Sequence, residues 1–254
     1  MRCLFSGQIR KPNFFIYSFG IPHDDLRYTS KDAKDFANAF LSLEDTPIAN
    51  RVITTIIVEK EETTKTKIEA TIQRIFKEKF KELRNIKKND VLILFFSSHG
   101  VSSIDEVTNF GICPSDHDSY VETATTVNFE KSISPWLDSM NCHKLLFIDA
   151  CHSGSLSEEL ASNGTKSTSS SKLSSTIAKV MANNPDLISF SSCSPGETSN
   201  EDTTWQNGAF TEVILEFFQN KEVHINQTKK IKARTKGKEL KLFISVAPDL
   251  LGGF

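Results

Sequence analysis

The chain has 254 residues, a formal net charge of −2 and a pI near 6.3. That length suits one domain with a sizeable core, and the near balance of charge excludes a general electrostatic attraction to nucleic acid or to an anionic membrane. Five widely spaced cysteines (Cys3, Cys113, Cys142, Cys151, Cys193) are an odd number and make no disulfide framework. Together with an N-terminus that lacks a signal peptide's apolar region and with no run of membrane-spanning length, they point to a cytoplasmic protein in a reducing compartment.

In chain order, Phe14 to Phe19 reads as a buried first strand ended by Gly20 and Pro22. Thr29-Ser30-Lys31-Asp32 reads as a capping box that opens a helix with Ala33, Phe36, Ala37 and Phe40 on one face. Arg51 to Val58 is β-branched and strand-like. Thr66-Lys67-Ile68-Glu69 reads as a second capping box, before a helix with Ile68, Ile72, Ile75, Phe76, Phe80 and Leu83 on one side and charged residues on the other. Asn89-Asp90 turns into the apolar run Val91 to Phe96, which leads directly into Ser97-Ser98-His99-Gly100.

After a polar loop come the short apolar piece Phe110 to Cys113 and the acidic turn Pro114-Ser115-Asp116-His117-Asp118. Ser134-Pro135 predicts an N-cap and a first-turn proline for a short helix to about Met140. Leu145 to Ile148 is then a second apolar run that ends in a polar cluster, Asp149-Ala150-Cys151-His152-Ser153-Gly154. The stretch 163–172 has no aliphatic or aromatic side chain to bury and reads as a mobile surface loop. A helix over 173–181, a strand over 187–190, a helix over 208–218, a basic irregular stretch over 221–238 and a last strand over 240–246 complete the chain. Strands alternating with helices predict an α/β fold with a mostly parallel central sheet and helices on both faces. A zinc site from Cys113, His117, Cys142 and His143 lacks paired ligand spacing, and no phosphate-binding glycine motif is present.

Two runs of the same build place a histidine and a cysteine at equivalent ends. If their strands lie side by side and parallel, His99 and Cys151 meet at the sheet edge where open α/β sheets bind their ligands. A thiol titrates near 8.5, so a neighbouring imidazole is needed to take its proton or stabilise its thiolate at neutral pH. Cys151 is the candidate nucleophile and His99 the candidate general base. The side chain of His152, next to the nucleophile, points elsewhere in this reading.

With these motifs the chain resembles the caspase and metacaspase family of cysteine peptidases. His-Gly stands at His99-Gly100 and Asp-Ala-Cys-His-Ser-Gly at 149–154, and Cys151 follows His99 by 52 positions (99 to 151), close to the roughly 50 of caspases. The cysteine motif differs from the animal Gln-Ala-Cys-Arg-Gly and is closer to metacaspases. The resemblance implies a caspase-like three-layer α/β/α sandwich forming a single domain over 1–254. Its large-subunit-like part is 1–154, its flexible Ser-rich loop 155–172 and its small-subunit-like part 173–254.

It further implies an oxyanion hole from the backbone N–H groups of Cys151 and Gly100. An acidic S1 pocket falls on Asp32, Ser97 and Asp149, with cleavage after Arg or Lys. Asp149 and Ser97 each sit two residues before a dyad residue and share its side of the strand. Self-cleavage is expected in the Ser-rich loop after Lys166 or Lys172. The chemistry needs no cofactor; calcium is a candidate activator, with Asp116, Asp118 and Glu158 as candidate ligands. Expected partners are protein or peptide substrates and a regulatory protein, with no nucleic acid and no membrane. The biological setting implied is cell death, stress or defence, and the alternative is a non-catalytic caspase-like scaffold.

Overall fold

The computed structural model describes residues 10–77, 86–102, 110–152, 168–192, 201–204, 206–219, 230–235 and 238–246. β1 (Asn13–Gly20) leads to α1 (Thr29–Leu41), β2 (Arg51–Ile57), α2 (Lys65–Lys77), β3 (Val91–Ser102) and the short strands β4 (Phe110–Ile112) and β5 (Val127–Asn128). Between β4 and β5 lies the one-turn helix α3 (Glu122–Thr125). A π-helical turn, Phe129–Ile133, runs into α4 (Ser134–Ser139), followed by β6 (His143–His152), α5 (Thr168–Asn183) and β7 (Leu187–Ser191). The small strands β8 (Glu201–Asp202) and β9 (Asn207–Gly208), α6 (Ala209–Gln219), β10 (Lys230–Thr235) and β11 (Lys238–Val246) complete the order.

The sheet runs β10-β11-β7-β6-β3-β1-β2. β2, β1, β3, β6 and β7 pair in parallel, and β11 and β10 add antiparallel to the β7 side. From β1 the chain goes first to β2 on one side and then to β3 on the other, so the carboxyl ends of β1 and β3 flank the point where strand order reverses. In open α/β sheets that is where ligands bind.

Strand periodicity divides the apolar residues between two layers. Phe15, Tyr17, Phe19, Leu92, Leu94, Phe96, Leu146 and Ile148 join residues of α2, α4 and α5. Phe14, Ile16, Ile93, Phe95 and Phe147 face α1 and α6 through Ala33, Phe36, Phe40, Phe210 and Ile214. Phe36 stacks on Phe95 at 4.2 Å and meets Phe147 edge-on at 4.9 Å, so truncating this fully buried ring to Ala costs about 3–5 kcal/mol. These layers make the α/β/α sandwich expected from the sequence. At the opposite, amino edge, the buried Asp90 carboxylate accepts the backbone N–H groups of Asn13 and Lys87 and pairs with Arg10.

Several local expectations change. β3 does not stop at His99-Gly100: it continues to Ser102, because β4 folds back on its extension and supplies partners at Gly100, Val101 and Ser102, whereas β6 ends within its polar cluster at His152. Thr29 and Asp32 form no capping box; Tyr28 precedes α1 with no side-chain cap, and Asp32 lies on the buried face. α2 begins at Lys65 instead of behind a Thr66 cap, and Glu69 accepts a hydrogen bond from Ser132. Ser134 lies inside a helix that the preceding π turn has already started.

The flexible loop expected over 155–172 does not extend to Lys172, since α5 begins at Thr168 and takes in that residue, while 155–167 lie outside the described residues. Buried Ile177, Val180 and Met181 anchor the later turns, and once these exist each added turn forms without a new nucleation cost. The basic stretch is not irregular throughout: Lys230–Thr235 is the edge strand of the sheet, and lysines are common on edges because they discourage pairing with other chains. No helix among the described residues is long and apolar enough to cross a membrane.

Candidate active site

His99 and Cys151 face each other in the parallel register of β3 and β6, one step beyond Ser98 and Ala150. Cys151 is described through its backbone. Gly100 pairs with His152 on one side and with Ile112 on the other, so the two backbone positions of the expected oxyanion hole lie on adjacent strands.

The His99 side chain, 16% exposed, donates from Nε2 to both carboxylate oxygens of Asp25 at 2.8 and 2.9 Å. Asp25 belongs to the turn His23-Asp24-Asp25-Leu26, closed by the Leu26 N–H donating to the His23 carbonyl at 3.2 Å. Partial burial opposes the charge of Asp25, but the hydrogen bond and charge of His99 outweigh it, and the carboxyl lies below its ordinary range.

His23 anchors this turn from below. Ser98 gives its hydroxyl proton to the Cys113 carbonyl, so the His23 Nε2–H donates to Ser98 Oγ at 3.3 Å and to the same carbonyl at 3.2 Å. Its ring lies 4.9 Å from that of His99. Burial, and then the charge of His99, push its pKa down to about 4 despite the bond to Cys113, so His23 is neutral at physiological pH.

On the α1 and α6 side, the period of two that orients Phe95 and Phe147 carries Ser97 and Asp149 toward Asp32. Asp32 Oδ1 accepts the Gly208 N–H at 2.9 Å and Oδ2 accepts the Ser97 hydroxyl at 3.0 Å. Asp149 Oδ2 accepts the Thr211 hydroxyl at 3.0 Å. A methyl on Gly208 would sit 2.6 Å from Asp149 Oδ2 and 3.2 Å from Asp32 Oδ2, so this glycine lies between the two carboxylates and any side chain would displace one of them. Burial, and then the charge of Asp149, raise the Asp32 carboxyl to about 8 against the bonds from Gly208 and Ser97. At neutral pH the pair therefore retains a proton.

The β8–β9 hairpin holds this corner shut. Glu201 accepts the backbone N–H groups of Arg27 and Tyr28 at 2.8 and 2.9 Å, and Lys31 Nζ donates to Asn207 Oδ1 at 3.2 Å. Gly20 permits the same closure from below: a Cβ there would lie 2.2 Å from the Thr29 carbonyl, so only glycine lets the end of β1 pass under the start of α1.

Asp116 and Asp118 have local partners. Asp116 Oδ1 accepts the Lys65 N–H at 2.7 Å at the positive end of α2, and Asp118 Oδ1 accepts the Tyr120 N–H at 2.9 Å within its own turn. Glu158 and Lys166 lie outside the described residues. Among the described residues no group of three or more His, Cys, Asp or Glu side chains is placed to hold a metal ion. Cys113 and Cys142 are buried thiols outside any disulfide; burial pushes that of Cys142 up to about 11.

Asp25 and His23 were not singled out in the sequence, and Gly208 and Thr211 were read only as the start of a helix. No motif marks Asp25 or His23, and the one available signal for them is positional: residues just after β1 must lie beside the histidine strand if β1 and β3 are neighbours.

A parallel sheet sandwiched between helices, with a histidine and a cysteine in paired register at its carboxyl end, defines an α/β protein that works at strand ends. The family model described as the caspase domain matches residues 15–238, and the chain belongs to that family. Membership carries a cysteine-peptidase-like function, exercised on protein substrates. Among solved structures, the chain is similar to protein GSU0716 from Geobacter sulfurreducens, with 16% identity, 82% of each chain covered and a TM-score of 0.49. No curated protein matches it.

Proposed function

We propose that this protein is a cysteine endopeptidase of metacaspase type that cleaves after Arg or Lys. The observation that carries the reading is the register pairing of His99 with Cys151 at the carboxyl edge of the sheet, in a chain of the caspase-domain family. In the reaction His99 takes the thiol proton as the Cys151 sulfur attacks the scissile carbonyl. The backbone N–H groups of Cys151 and Gly100 receive the oxyanion. The C–N bond then breaks as His99 returns the proton to the leaving amine, giving a thioester that water hydrolyses with His99 again as base.

The basic preference rests on the two buried carboxylates. One proton shared between Asp32 and Asp149 is what an arginine or lysine side chain would replace, since a cation relieves the repulsion that keeps the pair protonated. Ser97 and the Gly208 N–H hold Asp32 in place for it. Within this reading Lys166 is the self-cleavage site and Lys172 is not, because a protease groove binds extended backbone and Lys172 is in α5. Calcium activation, a cytoplasmic location and a role in cell death, stress or defence are the expectations that accompany a metacaspase-type enzyme.

The test is cleavage of a peptide library by wild type, Cys151→Ala and His99→Ala, each checked for folding by circular dichroism. Wild type should cut after Arg and Lys; Cys151→Ala, which removes the nucleophile, should abolish turnover, and His99→Ala should lower kcat by about 10²- to 10⁴-fold. Unchanged turnover in a folded variant would remove the dyad, and faster cutting after Asp than after Arg would reverse the pocket assignment.

A further inference from the structure

We infer that Asp25 is the positioning residue of the His99–Cys151 pair: its carboxylate fixes the proton of His99 on Nε2 and leaves Nδ1 as the nitrogen that accepts the thiol proton. The inference rests on the peptidase reading for its consequence in turnover, and on the structure alone for its geometry. A neutral imidazole carries one proton, so a nitrogen that donates to a carboxylate assigns the acceptor role to the other. Here Nε2 donates to both oxygens of Asp25. The nitrogen that exchanges a proton with Cys151 is therefore Nδ1.

The turn that carries Asp25 is built to hold this position. Its ends are joined by the Leu26 N–H to His23 carbonyl bond. His23, at its start, is pinned to Ser98 and to the Cys113 carbonyl, one from β3 itself and the other from the strand-end residue beyond β4. Asp25 is thus tied to the strand that bears His99, although the two are 74 positions apart in sequence. Its charge has a second effect. When the thiol proton moves to His99, an imidazolium forms 2.8 Å from an ionised carboxylate, which favours the transfer. Two histidines whose charges couple to His99, His23 and His117, are driven toward the neutral form, chiefly by burial. Asp25 supplies an anion against the imidazolium, and Cys151, on β6, stands in register with His99.

The experiment separates charge and tautomer from simple support of the turn. Alkylation of Cys151 by iodoacetamide is followed at pH 7 by mass spectrometry of its peptide, in wild type and in Asp25→Ala, Asp25→Asn and Asp25→Glu. Nitrogen-15 histidine NMR of the wild type reads the protonated nitrogen of His99, assigned by its loss in His99→Ala. Asp25→Ala and Asp25→Asn should each slow alkylation about tenfold, with kcat falling in parallel and KM unchanged, because the carboxylate is well exposed and acts through one partner. Asp25→Glu, which restores the charge, should stay within about threefold of wild type. A wild-type alkylation rate in Asp25→Asn would show that the turn needs only the shape of the residue, and a His99 proton on Nδ1 would show the opposite tautomer; either overturns the inference. Neither alkylation nor NMR needs a substrate, so a wild type that cleaves no peptide refutes the peptidase reading and leaves the role of Asp25 to be decided by these two measurements.

Discussion

Asp25 and Asp32 are seven positions apart and serve the same end of the sheet, yet their surroundings drive their carboxyls in opposite directions. Asp25 has a side chain 72% exposed and a histidine against both oxygens, so it is held in the ionised form. Asp32 is 1% exposed, beside the second buried carboxylate Asp149, and burial with that neighbour's charge raises it to about 8. Residue type decides neither. An exposed anion beside an imidazole suits the stabilisation of a charge that appears during reaction, and a buried pair that retains a proton suits recognition of a cation that arrives from outside.

The largest effect that could break this contrast is on specificity. Asp149→Ala removes one of the two charges and the acceptor of the Thr211 hydroxyl. It should lower kcat/KM for arginyl substrates about 10- to 100-fold, since a buried charge partner is worth about 2–5 kcal/mol when truncated, less what water restores. Cleavage after neutral residues should change little. Equal losses for both substrate types, measured side by side, would mean that the pair supports the fold and does not read the substrate.

A smaller effect should appear in stability. The unfolded Asp32 carboxyl ionises near its ordinary 3.8, while the folded one keeps its proton to about 8. Between those values the folded state binds more protons, so stability contributed by this group falls as pH rises from about 4 to 8 and is flat beyond. Asp32→Asn should flatten that part of the Tm against pH curve. A wild-type slope retained in the variant would place the shared proton elsewhere.

Ionic strength should give the smallest effect and the sharpest separation. Raising salt from about 0.05 to 0.5 M shortens the screening length to a few ångströms. It should slow alkylation of Cys151 by up to about threefold through the exposed Asp25–His99 pair, and leave the midpoint of the acidic pair unmoved, because buried charges are screened much less. Equal salt sensitivity at the two sites, read by alkylation and by the Tm–pH curve, would erase the distinction between them.

Much of the architecture was legible in the residues. The apolar runs 91–96 and 145–148 have no polar position to face water, which is the mark of strands covered on both sides. The spacing of Ala33, Phe36, Ala37 and Phe40 matches the buried stripe of α1. The strand ends were less legible, because the extension of β3 through His99 depends on β4 returning beside it. Lys172 was misplaced for a related reason: a serine-rich composition reads as loop until a packed helix further on extends back into it.

By itself, the sequence determined the alternation of strands and helices, the two layers that those helices cover, and the placing of a histidine and a cysteine at equivalent ends of two buried strands, since each depends on the local period of apolar residues. Tertiary structure alone decided that Asp25 meets His99 and that Gly208 comes between Asp32 and Asp149. Those contacts join residues 74 and 176 positions apart. They are set by the reversal of strand order at β1 and by the return of the chain from β9 into α6, which no local pattern of side chains records.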